Sequence, residues 1–293
     1  MTDPGFFRSL RSPGSSAKPA ALYDRTIHAS LERIWENVLD WEHLPHLHSQ
    51  AFSGIRLLSS SDNGWRARVE VHGDREHTSE IEVVIDRPRL RYTTATLLGV
   101  GKGTEIVTQL LPRGERETDV RVEFFLPPVE PQWAASVGDA YRSLYEQLWD
   151  QDEAMMIRRE LVCRSARDRE PDDAAPGGVP PARRADADSE RRCLGPKGEL
   201  EARLPVEIEM GGRSVRVASA NGELLVFDTQ CPHLGGPLEQ RRAPGCEVEC
   251  PWHGYRFDLR SGRSSDGRGY RLGPQPLIEI EAGTGLVFLS TPA

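Results

Sequence analysis

The chain has 293 residues, of which 38% are hydrophobic, and this length and composition allow one or two soluble globular domains. Its formal net charge of −8 argues against a general nucleic-acid-binding surface, and no apolar run approaches the ~18–20 residues of a membrane-spanning helix. Five unevenly spaced cysteines do not suggest a disulfide framework, so we expect a reducing, cytoplasmic location without membrane attachment.

The chain begins with a polar segment, residues 1–19, that we expect to be disordered because it lacks an apolar run. The stretch ALYDRTIHA then predicts a strand. Ser30 fits the N-cap of a following helix. The apolar face of that helix is formed by Leu31, Ile34, Trp35, Val38 and Leu39.

The next segment, DWEHLPHLHSQ at residues 40–50, contains three of the eight histidines of the chain. It is consistent with a metal site and equally with an ordinary turn after a helix. A five-residue step turns about 140° around an ideal helix, so His43 and His48 cannot share one helical face. A break at Pro45 is therefore expected to turn His48 back toward His43.

Six further strands are predicted next, from GIRLLSS, GWRARVEVH, SEIEVVID, LRYTTATLLG, TEIVTQLL and DVRVEFFLP. Pro131 suits the first turn of a long helix that extends to about Leu161. This order of elements predicts an α+β domain over residues 20–163, with an apolar cavity between the antiparallel sheet and the long helix.

Residues 164–192 are rich in proline and charge and predict a flexible linker, because they cannot bury a core. The remaining segment, 193–293, predicts a small all-β domain in which short strands alternate with glycine-containing turns.

The second domain contains CPHLGG and CPWHGYRFD, in which sixteen residues separate the pair Cys231 and His233 from the pair Cys250 and His253. Two cysteines and two histidines in paired arms indicate a metal site, for which zinc and an iron–sulfur cluster are the candidates. Cys246 is expected to be a spare buried thiol.

These motifs resemble a Rieske [2Fe–2S] domain. The resemblance implies that Cys231 and Cys250 hold one iron of the cluster, and that His233 and His253 hold the other. The extra cysteines of the respiratory Rieske proteins are absent, and Tyr255 follows the glycine after His253. The sequence is therefore similar to the oxygenase and ferredoxin type, with a lower potential than the respiratory type.

The segment ENVLDWEHLPHLH resembles two families. It is similar to the turn after a helix in START-like (SRPBCC) proteins, which bind hydrophobic ligands. This first resemblance implies no metal. It also matches the motif Asn-x-x-Asp-x-x-His-x4-His of Rieske oxygenase catalytic domains, with Asn37, Asp40, His43 and His48. That second resemblance implies mononuclear non-haem Fe(II) on the two histidines, with Asp40 linking the iron to a Rieske histidine, while His46 is not part of the pattern.

A two-histidine iron site needs one carboxylate as well. In the oxygenases it comes from the long C-terminal helix. Here Asp152 has Tyr145, Leu148, Met155 and Met156 at helical spacing, whereas Asp150 has polar neighbours. Asp152 is therefore the expected third ligand, and the alternative is a capped or salt-bridged aspartate at the end of the cavity.

The combined resemblance implies a Rieske-type oxygenase with permuted domains, START-like helix-grip domain first and Rieske domain last. It implies hydroxylation or demethylation of a small apolar molecule with O2, electrons from an NAD(P)H-linked reductase or ferredoxin, and a homo-oligomer such as a trimer. The reversed domain order and the short first domain depart from the oxygenase pattern. The alternative is a START-like hydrophobic-ligand-binding protein with a Rieske electron-transfer module and no mononuclear iron.

Overall fold

The computed structural model describes residues 18–71, 78–167, 190–239 and 245–291. The chain divides into two compact units, Met1–Leu161 and Val162–Ala293. Most of the predicted tail (1–17) and of the predicted linker (168–189) lies outside the described residues. At the edges of that linker, the long helix continues to Arg167 and a strand begins at Arg191, so regular structure enters the predicted linker from both ends.

The N-terminal unit is built on a seven-stranded antiparallel sheet in the order β1-β7-β6-β5-β4-β3-β2. Its strands are β1 (Ala21–Ile27), β2 (Phe52–Ser61), β3 (Gly64–Val71), β4 (Thr78–Asp86), β5 (Arg91–Leu98), β6 (Glu105–Gly114) and β7 (Glu117–Phe125). Its helices are α1 (Leu31–Leu39), α2 (Leu44–Leu47) and α3 (Pro131–Arg167). The predicted α+β class, with seven strands and a long C-terminal helix, is confirmed.

The core of this unit lies between the inner face of the sheet and two helices. α1 contributes Ile34 and Trp35, and α3 contributes Trp149 and Met156 to one buried cluster with strand residues such as Val83. The fully buried side chains each contribute about 1.5–3 kcal/mol by leaving water. This packing fixes which face of α3 points inward, and therefore which carboxylates of that helix are withdrawn from solvent.

The sequence predicts a break at Pro45. In the structure the chain instead bends at Asp40, between α1 and α2. Ser30 caps α1 as predicted, accepting a hydrogen bond from Arg33 N, and Asp40 ends the helix at φ −84° and ψ 82°. A single 3-10 turn over residues 41–43 then leads into α2. Pro45 lies in the first turn of α2, where a missing N–H costs no hydrogen bond, so it starts the helix and does not break the chain.

In its described residues, the C-terminal unit contains three small antiparallel sheets, ordered β11-β10-β9, β12-β13 and β14-β15-β8. Their strands are β8 (Arg191–Pro196), β9 (Val206–Met210), β10 (Arg213–Ala220), β11 (Glu223–Asp228), β12 (Glu247–Glu249), β13 (Arg256–Asp258), β14 (Leu277–Ile280) and β15 (Leu286–Ser290). The short helix α4 (Lys197–Glu201) occupies part of the segment ELEARLPVEIEM, which we predicted to be strand. None of the helices in the described ranges is both long and apolar enough to span a bilayer.

Candidate functional site

His43, His48 and Asp152 converge in the N-terminal unit. Their ligand atoms all lie within 4.8 Å of one another. Oδ1 of Asp152 is 3.1 Å from Nε2 of His48 and 3.5 Å from Nε2 of His43. The two imidazole rings are 5.0 Å apart in an edge-to-face arrangement, and both are almost fully buried. The structure therefore brings together the three residues that the sequence singled out.

Three elements position this cluster. His43 ends the 3-10 turn after α1, and His48 is the C-cap of α2, the short helix that follows directly. Asp152 lies in the middle of α3 on its inward face, as its helical spacing predicted. The side chain of Asp152 is 14% exposed, whereas that of Asp150 is 62% exposed.

The buried carboxylate of Asp152 is stabilised by polar neighbours. Nδ2 of Asn37 donates to its Oδ1 at 3.0 Å. Burial would raise the pKa of Asp152, but the hydrogen bond and charge of His48, the charge of His43 and the Asn37 amide lower it below its ordinary value. Burial would lower the pKa of His48, yet its contacts with Asp152 raise it. The surroundings of Asp152 therefore stabilise its ionised carboxylate form, and the contact with Asp152 stabilises the positively charged form of His48.

Each histidine has a further polar group behind it. Nδ1 of His48 lies 2.7 Å from Oε1 of Gln151, and because this amide oxygen accepts, the ring donates from Nδ1. In the neutral ring Nε2 then presents a lone pair to Asp152. Nδ1 of His43 is buried 3.6 Å from Oδ2 of Asp40, and no hydrogen-bond partner lies closer within the described part of the chain.

This donor set fits a divalent metal ion. Two imidazole nitrogens and one carboxylate oxygen are the ligands of the facial triad that binds non-haem Fe(II). Metal–ligand bonds of about 2.1 Å place neighbouring ligand atoms of such a triad about 3 Å apart, close to the separations at Asp152. A cation between Nε2 of His48 and Oδ1 of Asp152 would also satisfy two acceptors that otherwise face each other.

The cluster lines an apolar cavity of about 130 Å³. The side chains that line it, besides the cluster itself, include Val38, Leu44, Phe52, Trp65, Ile81, Val83, Tyr92, Thr94, Tyr145, Leu148 and Trp149. This volume is comparable to the ~150 Å³ of an apolar protein cavity that accepts benzene. A ligand with about one ring therefore fits beside the cluster without rearrangement of the walls.

The remaining histidines of this region are outside the cluster. His46, which is not part of the sequence pattern, is exposed. His28 is 68% exposed at its side chain and contacts Glu153, 2.8 Å from Nδ1 to Oε1.

A second constellation lies in the C-terminal unit, where two tight loops face each other. Gly235 N donates to Cys231 O at 2.9 Å in the first loop, and Gly254 N donates to Cys250 O at 2.8 Å in the second. Both glycines have positive φ, +82° and +66°, which disfavours other residues. At Gly236 a Cβ atom would lie 2.7 Å from Cys250 Sγ, so the close approach of the loops requires glycine.

The loops bring the two cysteines together and the two histidines together. Cys231 donates a hydrogen bond to Cys250, which lowers the pKa of Cys250 to about 5 against the effect of burial, and the same contact raises the pKa of Cys231. Backbone N–H groups of His233 and Trp252 donate to the Cys231 and Cys250 sulfurs respectively. The His233 and His253 rings lie 4.6 Å apart. Paired thiols opposite paired imidazoles are the donor set of a Rieske cluster.

Comparison with known proteins decides the nature of this unit. The model of the Rieske [2Fe-2S] domain family matches residues 190–271. This segment is a Rieske domain. Cys246 also lies within this segment but outside the two loops. It is buried, as predicted, and its Sγ lies 3.7 Å from Nδ2 of Asn221.

Two curated relatives illustrate the extent of this similarity. The oxygenase component of 3-ketosteroid-9-alpha-monooxygenase from Mycolicibacterium smegmatis is 38% identical over 66 residues, 22% of this chain and 17% of that protein. Apoptosis-inducing factor 3 from Homo sapiens is 36% identical over 68 residues, 23% of this chain and 11% of that protein. The chain thus spans less than a fifth of the length of these relatives.

Solved structures resemble each unit only distantly. The match to a START superfamily protein from Mycobacterium smegmatis covers 46% of this chain and 97% of that protein's chain, with 19% identity and a TM-score of 0.36. The ferredoxin of carbazole 1,9a-dioxygenase from Nocardioides aromaticivorans covers 36% of this chain and all of its own, with 22% identity and a TM-score of 0.30.

Sequence reasoning missed the residues that support the candidate ligands. Gln151 precedes Asp152 on α3, and no spacing rule connects it with His48, 103 positions earlier. In the Rieske domain, Tyr255 stacks on the ring of His233, and Arg268 lies over Tyr255. Such partners depend on the tertiary arrangement, so no local pattern could have identified them.

Proposed function

We propose that this protein is a Rieske-type non-haem iron oxidoreductase that hydroxylates or demethylates a small apolar molecule with O2. One observation carries the proposal: His43, His48 and Asp152 converge in the lining of an apolar cavity in a chain that also has a Rieske domain. Cys231, His233, Cys250 and His253 hold the [2Fe–2S] cluster, and electrons come from a separate reductase or ferredoxin.

The residues around the triad have distinct roles in this proposal. Fe(II) bound by the triad supplies O2 activation. Gln151 holds the proton of His48 on Nδ1, so that Nε2 is directed to the metal position. Oδ2 of Asp40 lies 3.6 Å from Nδ1 of His43, behind the ring, which makes Asp40 the candidate link to electron delivery. The apolar walls exclude water and bind the substrate beside the triad.

The decisive experiment counts iron in full-length protein purified without oxygen. We expect about three irons per chain, two in the cluster and one more in the triad. The substitution Asp152→Ala should reduce the count by one without loss of the Rieske absorption. The exposed Asp150, two residues away on the same helix, provides the matched control Asp150→Asn, which should leave the count unchanged.

A second candidate function is hydrophobic-ligand binding combined with electron transfer, without a mononuclear iron. The observation in its favour is that the cluster also satisfies its own polar groups: Asp152 accepts from Asn37, and a protonated His48 donates to it. Under this alternative the wild-type protein contains only the two irons of the Rieske cluster, and His43→Ala leaves the iron content unchanged.

A further inference from the structure

In the Rieske domain, the ring of Tyr255 and the guanidinium group of Arg268 form a stack on the cluster ligand His233. The rings of His233 and Tyr255 are nearly parallel, with 16° between their planes and 4.5 Å between their centroids. The guanidinium carbon of Arg268 lies 4.0 Å from the centroid of Tyr255. Tyr255 is only 5% exposed, so it separates Arg268 from His233 as a water-excluding layer one ring thick.

This geometry allows the charge of Arg268 to act on the cluster position. A guanidinium over a tyrosine ring is attracted by the negative face of the ring, which fixes its place. Charges separated by apolar protein groups interact more strongly than charges separated by water. The carboxylate of Asp266, 3.6 Å from Nε of Arg268, partly compensates this positive charge.

We propose that Arg268, held against Tyr255, raises the reduction potential of the [2Fe–2S] cluster. Reduction adds one electron to the cluster, and a nearby positive charge stabilises the more negative reduced form. The inference rests on the cluster-binding part of the proposed function and is independent of the mononuclear iron. Arg268 and Tyr255 are positioning residues in this proposal, because neither is a ligand.

The test is a spectroelectrochemical titration of the full-length protein, followed by the visible absorption of the cluster. Arg268→Gln should move the midpoint potential to a lower value, and Arg268→Lys should move it less because the charge remains. Asp266→Asn removes the compensating carboxylate and should move the potential in the opposite direction. Arg260→Gln is the matched control: Arg260 is also exposed and also forms a salt bridge, with Glu223.

The signs of the shifts separate this inference from alternatives. Equal potentials for wild type and Arg268→Gln, with a normal Rieske spectrum in both, would overturn it. An equally large decrease in Arg260→Gln would also overturn it, because the effect would then be one of overall charge. If Arg268→Gln fails to fold, the opposite shift of Asp266→Asn still decides the matter: an increase supports the inference, and no change or a decrease contradicts it.

Failure of the proposed function has a different signature. A wild-type protein that is purified anaerobically and shows no Rieske spectrum contradicts cluster binding itself.

Tyr255→Leu, which removes the ring but keeps an apolar side chain, provides a second test of the inference. It should lower the potential because Arg268 loses the surface that holds it near His233.

Discussion

The amide oxygen of Gln151 lies 2.7 Å from Nδ1 of His48, on the side of the imidazole that faces away from Asp152. Because the amide oxygen can only accept, Nδ1 of His48 is the donor in this contact. Nε2 is then left to face Oδ1 of Asp152 at 3.1 Å. A glutamine that has no place in the sequence motif thus determines which nitrogen of His48 is available to a metal.

The first prediction concerns this contact. Gln151→Ala should weaken binding of Fe(II) to the triad about 10–100-fold, because His48 loses the acceptor that orients it. Gln151→Glu keeps an acceptor at the same position and should retain most of the affinity. The measurement is a competition titration of the full-length protein with a colorimetric iron chelator.

Gln147 provides the control for Gln151. It lies one helical turn earlier on α3 and, like Gln151 and His48, lines a crevice on the surface of this unit. Gln147→Ala should leave the iron affinity unchanged. The assigned role of Gln151 is wrong if wild type binds iron at the triad and Gln151→Ala binds it equally well.

The second prediction concerns Asp40, the carboxylate behind His43. Asp40→Asn should retain triad iron but slow the O2-dependent reoxidation of the reduced Rieske cluster by about 10–100-fold, because His43 loses the negative charge 3.6 Å from its Nδ1. Stopped-flow absorption of the cluster measures this rate. Glu42→Gln, in the same turn, is the control; equal slowing in both variants would show that Asp40 has no special role.

The third prediction concerns Gly236 in the Rieske domain. In Gly236→Ala the added Cβ would lie 2.7 Å from Cys250 Sγ and 2.9 Å from the Trp252 ring, so the cysteine must move away. We expect a clear loss of cluster occupancy, measured as Rieske absorption per chain. Gly198→Ala in α4 meets no atom within 4 Å and should leave occupancy unchanged. Normal occupancy in Gly236→Ala would contradict the requirement for a close approach.

The fourth prediction is a pH dependence of stability at Glu153, the residue after Asp152. Its carboxylate accepts from His28 N at 2.7 Å and from Arg25 Nη2 at 2.5 Å. Burial raises its pKa, but the His28 and Arg25 contacts dominate and lower it below the ordinary 4.5. A lowered folded-state pKa stabilises the fold above the unfolded value, and this contribution is lost as the pH falls through the folded value.

Glu153→Gln should therefore reduce the free energy of unfolding by about 1–3 kcal/mol near neutral pH, with the difference shrinking below pH 4.5. Asp150 also contacts Arg25 but is 62% exposed, so Asp150→Asn should cost only about 0.2–1 kcal/mol. Urea unfolding at several pH values measures both. A difference for Glu153→Gln that grows toward acid pH would refute the assignment.

Much of the N-terminal fold followed from local pattern. The seven strands, the N-cap at Ser30 and the inward face of α3 at Asp152 were all read from periodicity and capping chemistry. The break predicted at Pro45 is not found, because a proline in the first turn of a helix is tolerated and Pro45 lies in the first turn of α2; the helix α1 ends earlier, at Asp40. The strand β8 and the helix α4 are not predicted from the sequence, because both elements are short and the residues beside them are polar.

The sequence by itself determined the chemistry that is present: the paired cysteine and histidine arms, two histidines five positions apart, and an aspartate on an apolar helical face. Spacing along the chain fixes such features because helices, turns and metal ligands obey local geometry. Only the tertiary structure decided that His43, His48 and Asp152 meet, that Gln151 orients His48, and that Arg268 lies over the ring stacked on His233. Those contacts join residues far apart in sequence, and packing of the whole fold alone sets their distances.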